Sequence, residues 1–213
     1  MNLTTAIAEY EQAKQQNVAA DILELMDRTT RELIASNLTS HAVQTGQTAP
    51  DFALPDQQGR TITLSDVLAK GPLVLSFYRG GWCPYCNLEL RALQQALTDI
   101  KAAGATLLAV SPELPDNTVQ THDSNELNFS VLSDVGNHIA RQYGLVFTLS
   151  DELKPVYEKF GLDIPVRNGD DSWELPFPAT FVIQRDGSVS LAFVNADYTQ
   201  RLEPQAIVDH LRG

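Results

Sequence analysis

The chain contains two cysteines, and they stand with only two residues between them in the run Gly80-Gly81-Trp82-Cys83-Pro84-Tyr85-Cys86. The residues just before, Leu73-Val74-Leu75-Ser76-Phe77-Tyr78, form a short and almost wholly apolar or aromatic run, which predicts a strand buried in a parallel sheet. Beyond the pair, Leu90, Leu93, Leu97 and Ile100 recur at helical spacing. Pro84 suits the first turn of that helix, where its missing N–H would have had no partner. Both thiols therefore fall where a strand hands over to a helix N-terminus. Unpaired N–H groups and the helix dipole favour negative charge there, and a thiol pKa can drop from about 8.5 into a range of roughly 3.5 to 7.5. Cys86 continues the apolar stripe of Leu90 and Leu93 and is expected to face inward, leaving Cys83 at an exposed tip. An outer thiol that attacks and an inner one that resolves can close a small, reversible disulfide.

Other uses of two cysteines fit less well. A zinc site needs further ligands, yet there is no second cysteine pair, and His41, His122, His138 and His210 are scattered without ligand spacing. No metal or other cofactor is expected. Ordinary buried cysteines are common in cores, but Gly80-Gly81, Trp82 and Pro84 mark a specialised turn. At 213 residues the chain can bury a core without disulfide staples. Its net charge of −12 argues against a nucleic-acid partner. No segment has the length and apolarity of a membrane span, and the first residues are neither basic nor followed by a long apolar run, so a cytoplasmic location is expected. In that compartment a close cysteine pair is more often catalytic than structural.

Residues 3–37 carry two helical stripes, first Leu3, Ile7 and Tyr10, then Val18, Ile22, Leu25, Thr29 and Leu33. They read as a helical extension, residues 1–45, packed on its own chain, or else as a surface for a partner or a homodimer. The main domain is expected over residues 46–213. Thr61-Ile62-Thr63-Leu64 alternates like a strand, and Ser65 is expected to cap a short helix. Ala105-Thr106-Leu107-Leu108-Ala109-Val110 reads as a second buried strand, which makes a right-handed parallel crossover with the first. A short strand near residues 129–132 and two helices ending at Gly144 and Gly161 follow. Ala179-Thr180-Phe181-Val182-Ile183 and residues 189–194 form a hairpin about Asp186-Gly187, and Pro204 starts a last helix.

This order of elements, with Trp82-Cys83-Pro84-Tyr85-Cys86 at the head of a helix, resembles the thioredoxin fold: an α/β architecture with a central mixed sheet flanked by helices. The resemblance places Pro178 where that fold has a cis-proline beside the cysteine pair, and so implies a cis bond at Phe177-Pro178. From Gln47 onward the chain is similar to the peroxiredoxins of the alkyl hydroperoxide reductase and thiol-specific antioxidant family. The marks are Ala49-Pro50-Asp51-Phe52, Gly59 before Leu64-Ser65, Phe77-Tyr78 leading into the cysteines, Glu89 after them, and Phe181-Val182-Ile183 with Asp186-Gly187. On that pattern Cys86 takes the peroxide-reactive position and Cys83 that of the family's threonine or serine. Arg79 stands where the family has a proline, and Pro178 where it has an active-site arginine, so Arg79 is the substitute cation within reach.

The family resemblance implies a thiol peroxidase that cycles between the dithiol and a Cys83–Cys86 disulfide and is re-reduced by thioredoxin or by glutathione and glutaredoxin. Arg79, Trp82, Pro84, Tyr85 and Pro178 would support the pair. In that scheme Cys86 becomes a sulfenic acid and Cys83 condenses with it. Two further readings remain open. One is a dithiol–disulfide exchange enzyme in which Cys83 attacks a substrate disulfide. The other is a redox-sensing module whose disulfide alters the contacts of the N-terminal helices.

Overall fold

The computed structural model describes residues 2–213. Two helices, α1 (Leu3–Asn17) and α2 (Ala20–Ala35), precede a 3-10 turn at Leu38–His41. A small antiparallel pair, β1 (Ala53–Pro55) and β2 (Thr61–Thr63), leads into α3 (Leu64–Leu68). The central unit follows as β3 (Leu73–Phe77), α4 (Pro84–Ala102) and β4 (Thr106–Ser111). Next come α5 (Pro115–Ser124), β5 (Ser130–Ser133), α6 (His138–Gln142), β6 (Val146–Thr148), α7 (Lys154–Lys159) and α8 (Ile164–Asn168). The chain finishes with β7 (Glu174–Pro176), β8 (Ala179–Ile183), β9 (Val189–Val194) and α9 (Pro204–Arg212).

The main sheet has the strand order β5-β4-β3-β8-β9, with β3, β4 and β5 parallel and β8 and β9 antiparallel to their neighbours. Side chains along a strand alternate between faces, and a central strand covered on both sides must be apolar throughout. Every residue of β3 is buried. Leu73, Leu75 and Phe77 enter one core with Phe52, Val110, Tyr143 and Phe181. Val74 enters the other with Leu90, Leu93, Leu107, Val182 and Ile207. On that second face α4 packs against α9 and α1.

The expected stripes of the N-terminal helices meet these two cores. Ile7 and Tyr10 of α1 lie on the core under α4, whereas Leu25, Met26 and Leu33 of α2 lie on the opposite one. Asn2 Oδ1 accepts from Thr5 N at 2.8 Å and Glu203 Oε2 from Leu3 N at 3.3 Å, so the start of α1 is capped in part by the loop before α9. No helix among the described residues is long and apolar enough to cross a membrane.

Two local expectations are corrected. The cap of α3 is Thr63, whose side chain accepts from Asp66 N at 3.2 Å, because the helix begins two residues earlier than a Ser65 cap implies, at Leu64. The Phe177–Pro178 bond is trans, as are all peptide bonds among the described residues. Here β7 and β8 run into each other through Phe177, whose N–H donates to Leu145 O at 2.7 Å, and the trans form is the default even before proline.

Candidate active site

The thiol loop is built by β3 and held by buried polar groups. Tyr78 N, just past the strand, donates to Val110 O at 3.0 Å, and Cys83 N donates to Gly80 O at 3.1 Å, closing the turn. Cys83 is the N-cap of α4 in an extended conformation, with Pro84 in the first turn and Cys86 on the inner side. Gly81 N donates to the carboxylate of Glu113 at 2.7 Å, and Arg167 Nε donates to the other oxygen at 2.8 Å. Glu113 is fully buried; burial raises its pKa, and these two donors draw it back. A Cβ at position 81 would lie 2.0 Å from Thr121 Oγ1. Gly81→Ala is therefore expected to cost about 1–3 kcal/mol through overpacking. Urea unfolding would measure it, and Thr121→Ala in the same chain should restore part of the loss.

Each sulfur faces its own guanidinium. Arg79 Nη2 donates to Cys83 Sγ at 3.5 Å, and Arg201 Nη2 donates to Cys86 Sγ at 3.6 Å. The Arg79 guanidinium is sandwiched by aromatic faces, 4.2 Å from the Tyr198 ring centre and 5.0 Å from that of Trp82, and Nη1 donates to Tyr157 OH at 3.3 Å. Its Nε–H has no partner. Arg201 is fixed by Nε and Nη2 donating to Tyr198 O at 3.1 and 2.7 Å, and Nη1 donates to the buried carboxylate of Glu89. A turn sets this up: Asp197 Oδ1 accepts from Thr199 N at 3.0 Å, which turns Tyr198 and Arg201 inward together.

Burial alone would raise the pKa of either thiol. At Cys83 that penalty is outweighed by the Cys86 S–H it accepts and by the charges of Arg79 and Arg201, which hold its pKa well below the ordinary thiol range. At Cys86 burial, donation to Cys83 and repulsion from its charge act together, and the pKa is pushed far up. The reduced protein should then carry one thiolate at neutral pH. Ultraviolet thiolate absorbance tests this: the reduced parent should show the signal of one thiolate rather than two, and that signal should persist in Cys86→Ser. A folded-state pKa below the unfolded value of about 8.5 also gives stability that is present above that pH and is lost as pH falls through the folded value.

The expectation of an exposed Cys83 is corrected, for both sulfurs are fully buried and free. The cover comes from far along the chain. Tyr85, itself buried, stacks edge-on against Tyr10 of α1 and against Tyr198, at 5.0 and 5.4 Å. Its hydroxyl donates to Glu11 and accepts from Lys14 Nζ at 3.1 Å, bolting α1 over the thiol helix. A cavity of about 320 Å³ lies just outside, lined by Arg79, Trp82, Pro84, Tyr85, Tyr157 and Tyr198 among others. Arg79 thus touches both the cavity and the sulfur, and one side-chain layer separates them. Of the residues expected to support the pair, Arg79, Trp82, Pro84 and Tyr85 converge here. Pro178 is buried beside the loop, one residue from Ala179, which pairs with Phe77, but donates to neither sulfur. Sequence reasoning missed Arg201, Tyr198, Glu113, Glu11 and Lys14. One signal was present: a family arginine replaced by Pro178 leaves its cationic role to be filled from elsewhere.

Among the described residues no three His, Cys, Asp or Glu side chains cluster to hold a metal. The sheet order and a dithiol at the start of α4 define a thioredoxin-like protein. The AhpC/TSA family model matches residues 45–192, and the chain belongs to that family. It is 31% identical over 103 residues to Peroxiredoxin Bcp of Escherichia coli, a match spanning 48% of this chain and 65% of the relative. It is 29% identical over 167 residues to the chloroplastic Peroxiredoxin Q of Populus jackii, spanning 78% of this chain and again 65% of the relative. Less than two thirds of the length of these relatives is therefore matched. Among solved structures, the Mycobacterium tuberculosis peroxidoxin BcpB superposes with a TM-score of 0.63 at 24% identity, over 80% of this chain and 97% of that one, a likeness of fold.

Proposed function

We propose that this protein is a thiol peroxidase in which Cys83 is the peroxide-reactive thiolate and Cys86 the resolving thiol. The observation that carries this reading is a thiolate-stabilising pair of arginines around two fully buried sulfurs, one side-chain layer below a small cavity. The Cys83 thiolate attacks one oxygen of the peroxide, the O–O bond breaks, and the sulfur becomes a sulfenic acid while water or an alcohol leaves after taking up a proton. Arg79 and Arg201 are placed to stabilise charge on the breaking bond. The Cys86 thiol then displaces hydroxide from the sulfenic sulfur, giving the Cys83–Cys86 disulfide and water. This order of roles reverses the one implied by the family pattern and rests on position: Cys83 caps α4 and faces Arg79, which lines the cavity, whereas Cys86 lies on the inner side of the helix.

Names of relatives support the activity class, since the proteins it matches are called peroxiredoxins. Exchange with a protein disulfide is the second reading, and the low pKa of Cys83 against the high pKa of Cys86 favours it. Burial favours the peroxidase reading. A peroxide needs only a shift of Arg79 or Tyr198, whereas a protein disulfide would require α1 to leave Tyr85. In the proposal residues 1–45 serve as the roof of the 46–213 domain, thioredoxin or a glutathione system returns the electrons, and the compartment is the reducing cytoplasm, where free thiols persist. Mixing reduced protein with hydrogen peroxide should consume both thiols and give an intramolecular disulfide within a single rapid phase. Thiol loss no faster than that of free cysteine would refute the peroxidase.

A further inference from the structure

Beside the thiol loop, across Trp82 from the aromatic cavity, lies a second cleft of about 340 Å³ with a different chemistry. Its walls include Gly81, Asn87, Arg91, Asn125 and Arg167, and no carboxylate lines it. Arg91 forms no ion pair among the described residues; its one contact is Nη1 donating to Asn125 Oδ1 at 3.0 Å. Asn125 Nδ2 donates in turn to Asn87 Oδ1 at 3.0 Å, and Asn87 Nδ2 to Gly81 O at 2.8 Å. A hydrogen-bonded chain therefore runs from Arg91 to the backbone of the thiol loop and orients the guanidinium while leaving most of its N–H groups unspent. Arg167 spends Nε on buried Glu113, and its side chain is one-quarter exposed. Arg91, with unspent donors and no ion pair among the described residues, beside Arg167, which keeps donors free beyond its bond to Glu113, stands out on a chain of net charge −12.

We propose that this cleft is a carboxylate-binding subsite for a small co-substrate whose reactive end enters the aromatic cavity. Planar guanidinium forks match carboxylates. The two cavities share Trp82 and Leu162, so one molecule can lie across that ridge. The inference rests on the peroxidase reading for the role of the bound molecule, and a carboxylate can arrive on either side of the cycle. An acidic thiol peptide would act as reductant. Its thiolate attacks the Cys83 sulfur of the disulfide, the Cys83–Cys86 bond breaks, and Cys86 leaves and takes up a proton. A second thiolate then attacks the added sulfur and frees the Cys83 thiolate with release of the peptide disulfide. A carboxylate-bearing hydroperoxide would be the oxidant in the same place.

The test uses the full chain. Calorimetric titration of reduced protein with S-methylglutathione, which cannot react, reads binding without any turnover, so its outcome is independent of whether the protein is a peroxidase. Saturable binding weakened about tenfold or more in Arg91→Gln, the scale of one charge-assisted hydrogen bond, is expected if the ligand is an acidic thiol. A parallel arm compares KM for a fatty-acid hydroperoxide and for neutral tert-butyl hydroperoxide. A rise in Arg91→Gln confined to the acidic hydroperoxide assigns the subsite to the oxidant. If Arg91→Gln changes neither the S-methylglutathione titration nor the acidic hydroperoxide KM, the proposal is overturned. Arg91 is exposed at the surface, so the variant should fold as the parent does.

Discussion

Replacing Cys83 by serine should lower peroxide turnover by on the order of 10⁶-fold, the scale seen when the nucleophile of an enzyme is deleted. Cys86→Ser should behave differently. Its Cys83 keeps both guanidiniums within reach, so a first equivalent of peroxide should still react at close to the parent rate. The product then has no resolving thiol. A sulfenic acid should accumulate at Cys83, be trapped there by dimedone, and pass on to sulfinic acid with excess peroxide. Stopped-flow kinetics with mass spectrometry of the trapped adduct separates the two variants in one experiment. The opposite pattern, with trapping at Cys86 in Cys83→Ser and a dead Cys86→Ser, would restore the roles that the family pattern implies. It would then be Arg201, which donates to the Cys86 sulfur, that activates the nucleophile.

The contrast between the two cysteines also shows where sequence stops being informative. The strand Leu73–Phe77, the helix from Pro84 and the hairpin of β8 and β9 were legible because each is specified by signals within a few residues: continuous burial, a 3.6-residue stripe, or a turn at Asp186-Gly187. Cys86 was placed inward by the same local logic. Cys83 was misplaced because nothing near it in sequence covers it. Its roof is assembled from Tyr10, Glu11 and Lys14 of α1 and from Tyr198 in the loop before α9, about seventy positions away on one side and more than a hundred on the other. Arg201 was invisible for the same reason. An arginine in a polar loop gives no sign that an Asx turn at Asp197 will aim it at a buried sulfur. The Phe177–Pro178 bond failed for a different reason. A fold-level analogy supplied the cis isomer, and the residues themselves expressed no preference strong enough to override the trans default.

The buried Arg201–Glu89 pair should give the second large effect, and the two partners should move the chemistry in opposite directions. Both side chains are essentially inaccessible to water, and burial raises the pKa of Glu89 while Arg201 draws it back. Removing one member of such a pair leaves the other charge without compensation, at a cost of about 3–5 kcal/mol. Arg201→Gln and Glu89→Gln should therefore both shift the urea midpoint well down. Their thiolates should diverge. Arg201→Gln deletes one of the two cations that hold Cys83 ionised, so its pKa should rise and the peroxide reaction should slow by about 10²–10³-fold, the size of effect seen when one stabilising donor is lost. Glu89→Gln instead removes the anion that competes with the sulfurs for Arg201, so the Cys83 pKa should fall further even as the fold weakens. Arg201→Lys keeps the charge but cannot serve Glu89, Cys86 and Tyr198 O together from one ammonium, and should fall between the parent and Arg201→Gln. A purely structural pair would give equal stability losses with no divergence in thiolate pKa. Opposite pKa shifts at similar destabilisation are the signature of an arginine shared between a counter-ion and the reactive sulfurs.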